Sequence, residues 1–312
     1  MKIDENPATW ATEIHKDIVS LGFKIEKRLF SGRSKFQEVE VLKSHGLGGI
    51  LFIDGAVMLS ERDEFVYHEM ITHVPLFVHP APESILVIGG GDGGTIREAF
   101  KHRSVKKIVM VEIDEMVVQV CREYLPSVSF ALDDPRLEIL FEDGVEYVAD
   151  TDERFDVVII DSTDPVGPGA PLFEKSFYEN VANILVPDGI MITQAGSPFY
   201  DHEIQQSMLE NQRPFFNRLH IYLYSNLTYP GGLWSFGFAS KGICPLIDFD
   251  PGRVHKSGIS TRYYNAGLHF SSFMLPAFIK ENLTDVLDPI ELPFIQSAGS
   301  EEKNEKKRKR DY

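Results

Sequence analysis

Between residues 83 and 240, short apolar runs alternate with stretches of helical character, and this alternation leaves few folds open. Segments 85–88, 107–112, 137–140, 155–161, 189–194, 219–224 and 234–239 read as strands, and 94–102, 115–124, 145–149, 174–185 and 202–211 read as helices. Strands that stay apolar along their length are buried on both faces, which calls for helices on either side of a mostly parallel sheet. The predicted fold class is therefore α/β, with a doubly wound, mostly parallel sheet.

Residues 20–60 differ in pattern: Phe23, Ile25 and Leu29, then Phe36, Val39 and Val41, then Ile50 to Ile53 are separated by turn-prone glycines. Asp54-Gly55 between two apolar segments is a strong hairpin signal, and the segment reads as a small N-terminal β domain. Ser60-Glu61-Arg62-Asp63 reads as a capping box opening a helix through about His73, with Pro75 as its stop. The domain reading is a helix and β-hairpin unit over 1–75, a Rossmann-like catalytic domain over 76–290 and a disordered charged tail over 297–312. That tail carries six basic and four acidic residues and has no apolar periodicity.

The formal charge of −16 argues against a nucleic-acid partner, since phosphate binding needs a basic surface. It would also attract a polycation. No apolar run approaches the roughly 20 residues of a membrane helix, and the first residues have no apolar signal core, so a cytoplasmic location is expected. The two cysteines, Cys121 and Cys244, lie far apart without metal-ligand spacing; they read as reduced core residues, and no metal site is expected.

Two clusters carry chemistry. Gly89, Gly91 and Gly94 follow a strand with G-x-G-x-x-G spacing, and Glu112 ends the next strand, where a carboxylate can accept both hydroxyls of a ribose. A purely structural turn is the alternative for the glycines alone. Asp92 inside the loop would repel a pyrophosphate and hold a positively charged group, which favours a sulfonium or amine-bearing nucleoside over a dinucleotide. Asp143-Gly144 stands where a side chain can bond an adenine amino group, or is a plain turn. The second cluster is Asp161 and Asp164, at and just beyond the end of a buried strand and ahead of a Pro- and Gly-rich segment. Alkyl transfer to an amine needs a base, because a free amine like that of lysine titrates near about 10.4. An Asx turn capping Ser162 and Thr163 is the alternative reading. Tyr67, Tyr229 and Trp234 can wall a channel for an aliphatic chain, or be core.

Together these strings resemble the polyamine aminopropyltransferases, and within them the spermidine synthases. The match rests on Ser34-Lys35-Phe36-Gln37, Glu61 through Met70, Ile88 through Gly94, Val111-Glu112-Ile113-Asp114, Asp143-Gly144, Asp161 through Pro165, Thr228-Tyr229-Pro230 and Arg262-Tyr263-Tyr264-Asn265, and spans roughly residues 5 to 283. The resemblance implies a sheet of the adenosylmethionine-methyltransferase type. It implies transfer of a 3-aminopropyl group from decarboxylated S-adenosylmethionine, a co-substrate, to a diamine such as putrescine, with no cofactor. It casts Asp161 as proton acceptor and Tyr67 and Tyr229 as residues that position the attacking amine. Asp92, Asp164, His68 and Trp234 would form the polyamine site, with Asp92 near the aminopropyl nitrogen. Gln37, Gly89, Gly91, Glu112, Ile113, Asp143, Gly144 and Pro168 would hold the methylthioadenosine part. Relatives that favour putrescine often carry an acid after the fifth core strand, but 194–197 is Gln-Ala-Gly-Ser; Gln194 is the substitute, and agmatine, cadaverine or a triamine stay open as acceptors. An S-adenosylmethionine methyltransferase is the rival reading. A homodimer or homotetramer is implied by resemblance alone.

Overall fold

The computed structural model describes residues 9–163, 165 and 167–290, without the side chain of residue 168. The tail over 297–312 and Asp164 lie outside the described residues. The chain opens with a five-stranded antiparallel sheet in sequence order: β1 (Trp10–His15), β2 (Val19–Arg33), β3 (Glu38–Ser44), β4 (Gly48–Ile53) and β5 (Ala56–Ser60). This is the small N-terminal β domain expected, extended at its start by β1, which pairs with β2 in register from Trp10↔Lys24 to His15↔Val19. The Asp54-Gly55 hairpin forms, with both residues at left-handed φ (48° and 83°), the twist that a two-residue hairpin turn requires.

Helix α1 (Glu64–Val78) connects the sheets. Its start is not the expected capping box. Ser60 stays in β5, its hydroxyl donates to Asp63 Oδ1 at 2.6 Å, and the N-cap residue Asp63 makes no side-chain bond to its own helix. Instead the Asp63 carboxylate accepts Leu227 N at 2.9 Å, Thr228 N at 3.1 Å and the Thr228 hydroxyl. Nor does Pro75 stop the helix. Val74, Leu76, Phe77 and Val78 are all buried, and that apolar packing outweighs the hydrogen bond a proline removes. The boundary expected at residue 75 thus falls inside α1.

The second sheet has seven strands in the order β11-β12-β10-β9-β6-β7-β8. Its members are β6 (Ser84–Gly89), β7 (Lys107–Val111), β8 (Leu137–Leu140), β9 (Phe155–Asp161), β10 (Leu185–Gln194), β11 (Arg218–Ser225) and β12 (Leu233–Ser240). Strands β6 to β10 run parallel, and β12 joins β10 antiparallel. The connecting helices are α2 (Gly94–Phe100), α3 (Glu115–Tyr124), α4 (Pro126–Ser129), α5 (Gly144–Asp150), α6 (Lys175–Ile184) and α7 (His202–Gln212), and α8 (Pro251–Ser257), α9 (Ala266–Ser272) and α10 (Ala277–Leu283) follow the last strand. One apolar cluster on each side of the sheet forms the core. Both cysteines are free and buried there or beside it. Strand order reverses between β9, β6 and β7, the crevice where open α/β sheets take ligands. In that crevice Gly89 pairs with Asp161.

Among the described residues no helix is long and apolar enough to cross a membrane, and no group of three or more His, Cys, Asp or Glu is placed to hold a metal ion.

Candidate active site

A cavity of about 630 Å³ opens at the carboxyl ends of β6, β7, β9 and β10, roofed by β1, β4 and β5 of the N-terminal sheet. One part of its wall gathers Glu112, Ile113, Asp143, Gly144 and Gln37. Glu112, just past β7, accepts N–H bonds from Asp114 (3.0 Å) and Gly91, and burial pushes its pKa up to about 7. Ile113 lies beside it on the cavity wall. Asp143 caps α5 through Oδ1 on Val145 N at 2.8 Å, which leaves Oδ2 for a ligand; Gly144 follows. Gln37 reaches down from the N-terminal sheet and is fixed by Asp114 at 3.0 Å, a carboxylate that also takes the Ser34 hydroxyl at 2.7 Å. The Ser34-to-Gln37 string therefore works as a clasp between the two sheets. The side chain of Pro168 lies outside the described residues.

The centre of the cavity holds Asp161. Its Oδ1 accepts the Tyr67 hydroxyl at 2.7 Å and its Oδ2 the Thr95 hydroxyl at 2.6 Å, so both oxygens are aimed. Its backbone carbonyl accepts Gly90 N at 2.9 Å, and a Cβ on Gly89 would sit 2.2 Å from that carbonyl. With φ at +81°, Gly89 is the residue that lets the loop pass this close. Burial raises the Asp161 pKa, and the Asp92 charge raises it further. Asp92 accepts Gly94 N at 2.7 Å and faces His68 Nε2 at 3.2 Å. His68 Nδ1 meets Glu64 at 2.6 Å, and Arg97 closes the chain with bonds to Glu64 of 2.7 and 3.1 Å. Burial pulls the His68 pKa down, but Asp92 and Glu64 outweigh it and push it up to about 10. His68 lines the cavity with its two ring nitrogens on the carboxylates of Asp92 and Glu64.

Beside Asp161 a row of rings lines the cavity as an aromatic channel wall. Ring centroids step from Tyr67 to Tyr229 (6.2 Å), Tyr229 to Trp234 (4.9 Å) and Trp234 to His15 (5.9 Å), and Tyr200 packs behind His15 (5.2 Å). The Tyr229 hydroxyl donates to Met58 O at 2.6 Å, so toward a ligand its oxygen is an acceptor. Trp234 Nε1 donates to Pro230 O at 2.9 Å, which leaves only its apolar ring to the channel. Gln194, at the end of β10, lines the same wall.

Sequence reasoning missed Thr95, Glu64, Glu13 and Asp201. Thr95 directly follows the glycine loop, and Glu64 stands four residues before His68 on one helix face, so both had a local signal. Glu13, on β1, accepts Val57 N at 3.0 Å and lines the channel; only tertiary pairing brings it there. Asp201 lines the channel too. No acid occupies 194–197, yet two acids from elsewhere reach the same end.

Comparison with known proteins agrees with this geometry. A family model described as the spermine/spermidine synthase domain matches residues 64–251, and one described as the spermidine synthase tetramerisation domain matches residues 9–61. The polyamine aminopropyltransferase of Clostridium beijerinckii is 43% identical over 281 residues, covering 89% of this chain and 99% of the relative. That of Methanocaldococcus jannaschii is 41% identical over 283 residues, covering 89% and 96%. A crystal structure of spermidine synthase in complex with the transition state analogue AdoDATO superposes with a TM-score of 0.88 at 41% identity, over 91% of this chain and 98% of that one. Spermidine synthase from Thermotoga maritima gives 0.85 at 40%, over 91% and 97%. The chain belongs to the spermine/spermidine synthase family, and it is a transferase of the aminopropyl class with a methyltransferase-like parallel sheet.

Proposed function

We propose that the chain transfers the 3-aminopropyl group of decarboxylated S-adenosylmethionine to putrescine, giving spermidine and methylthioadenosine, with Asp161 as the base. What carries this reading is the seat of Asp161, between a nucleoside-shaped pocket and an aromatic channel, with both carboxylate oxygens oriented by hydroxyls. An acceptor nitrogen attacks the methylene carbon bonded to the sulfonium sulfur. The C–N bond forms as the C–S bond breaks, the electron pair leaves with sulfur as a neutral thioether, and the nitrogen's proton goes to Asp161. A carboxylate with a raised pKa is a better base than an exposed one.

Asp92, backed by the His68 imidazolium, would grip the aminopropyl ammonium, and a carboxylate there also disfavours adenosylmethionine that keeps its own carboxylate. This supports the aminopropyl donor over the methyl donor. Gln37, Gly89, Gly91, Glu112, Ile113, Asp143, Gly144 and Pro168 would hold the nucleoside. Tyr67, Tyr229 and Trp234 would guide the acceptor's methylenes, with Asp164 and Gln194 as polar contacts to its amines. Exposed Trp10, Ile14 and Ile18 on and beside β1 give the N-terminal sheet an apolar surface, and a homodimer or homotetramer assembled through it is our reading.

Asp161→Asn tests the base. Turnover should fall about a hundredfold to ten-thousandfold, while methylthioadenosine binding, followed by calorimetry, should persist. A near-normal rate in this variant would remove Asp161 from the role.

A further inference from the structure

On the cavity wall sits a carboxylate that does not cap the helix it begins. Asp201 is the N-cap residue of α7, yet its side chain makes no bond to that helix. It folds back instead, accepting Ser197 N at 2.8 Å through Oδ2 and pairing with the Lys16 ammonium through Oδ1. It is buried, with 3% of its surface exposed. Gly196 makes room for it: φ is +66°, and a Cβ there would lie 2.7 Å from Asp201 Oδ2 and 2.9 Å from its Cβ. A side chain at 196 and the inward Asp201 therefore exclude each other, so this chain supplies the channel's far carboxylate from the start of a helix.

Lys16 reaches that carboxylate from the β1–β2 turn. Lys16 and Asp17 both adopt left-handed φ (53° and 56°), a conformation rare for residues with a Cβ, and the Lys16 ammonium also donates to Tyr200 O at 3.0 Å. The hairpin tip thus places a partly exposed cation beside the far part of the row of rings that runs from Tyr67, next to Asp161, past Trp234 to His15. An extended polyamine lying along those rings would bring its far ammonium toward the same place.

We propose that the Lys16–Asp201 pair sets the length of the acceptor: the Lys16 ammonium takes the site on Asp201 that the far ammonium of a longer polyamine would otherwise use, which holds the enzyme to short diamines. This rests on the aminopropyl-transfer reading above. Like charges compete for one carboxylate, so removing the lysine charge frees Asp201 for a triamine, and removing both charges leaves nothing to gain.

The test uses the full chain, decarboxylated adenosylmethionine, and putrescine, cadaverine and spermidine as separate acceptors. Lys16→Ala should raise the ratio of kcat/KM for spermidine to that for putrescine roughly tenfold, mainly through a lower KM for spermidine. Lys16→Gln, which keeps the stem without the charge, should move it in the same direction and stands in if the alanine variant unfolds. Lys16→Arg should keep the original ratio, and adding Asp201→Asn to Lys16→Ala should abolish the gain. An unchanged ratio in the charge-removing variants, with putrescine still turned over, overturns the proposal alone. If the unmutated chain transfers aminopropyl groups to none of the three, the functional reading falls and this one with it.

Discussion

Asp161 and Asp92 lie in one buried site, and each shapes the other's ionisation. Burial raises the Asp161 pKa and the negative charge of Asp92 raises it again, so the acid limb of kcat/KM should lie above the range of an ordinary carboxylate. Asp92→Asn takes away one negative charge while the His68 cation keeps Glu64 as a partner. Asp161 then loses its proton more easily, and the acid limb should move to lower pH; a limb that stays put would mean that Asp161 is not the group being titrated. Glu112 makes a separate prediction. With a pKa pushed up to about 7 it is half protonated near neutrality, and only its ionised form accepts two hydroxyls. Methylthioadenosine should bind more tightly as pH rises from 6 to 8, and Glu112→Gln should flatten that dependence. Calorimetry across the range decides it, since equal slopes in the two proteins would take Glu112 away from the ribose.

At the scale of elements, α1 holds the site in register. Tyr67 and His68 face the cavity from it, while Asp63 at its start ties down Leu227 and Thr228 beside Tyr229. Further along, Glu69 accepts the backbone N–H groups of Arg262, Tyr263 and Tyr264 at 2.7 to 2.8 Å, which ties that late string to α1 although it does not line the cavity. Asp63→Ala would take the carboxylate from the part-buried Leu227 N–H and leave the Thr228 N–H and hydroxyl with Asn226 Oδ1 alone, a loss of about 1–2 kcal/mol. The melting temperature should fall, and KM for the diamine should rise more than kcat falls because the Tyr229 loop loosens; a variant with normal stability and KM would contradict this. These examples also mark what the sequence makes legible. The strand ends carrying Gly89, Glu112 and Asp161 can be read because fully apolar strands announce themselves and their final residues must face the crevice. Helix α1 passing Pro75 cannot, since burial of Leu76 to Val78 decides it. Nor can the fate of His68: Glu64 at i−4 is visible in sequence, but Asp92 on its other side comes from a different strand-end loop.

The whole molecule joins a mostly parallel sheet that presents a cavity at its carboxyl end with an antiparallel sheet that covers it. The crevice at the β9–β6–β7 reversal supplies the glycine loop, Glu112 and Asp161, all parts that follow from strand order. The N-terminal unit supplies Gln37, which its string Ser34-Lys35-Phe36-Gln37 marks in sequence, and also Glu13 and Lys16, which are illegible there because their partners Val57 and Asp201 lie far away along the chain. The reaction itself is tested by mass spectrometry of the products after the purified chain is incubated with decarboxylated adenosylmethionine and an equimolar mixture of putrescine, cadaverine, agmatine and spermidine. Spermidine and methylthioadenosine in equal amounts are the expected products. A methylated amine from adenosylmethionine, or no transfer to any acceptor, would contradict it.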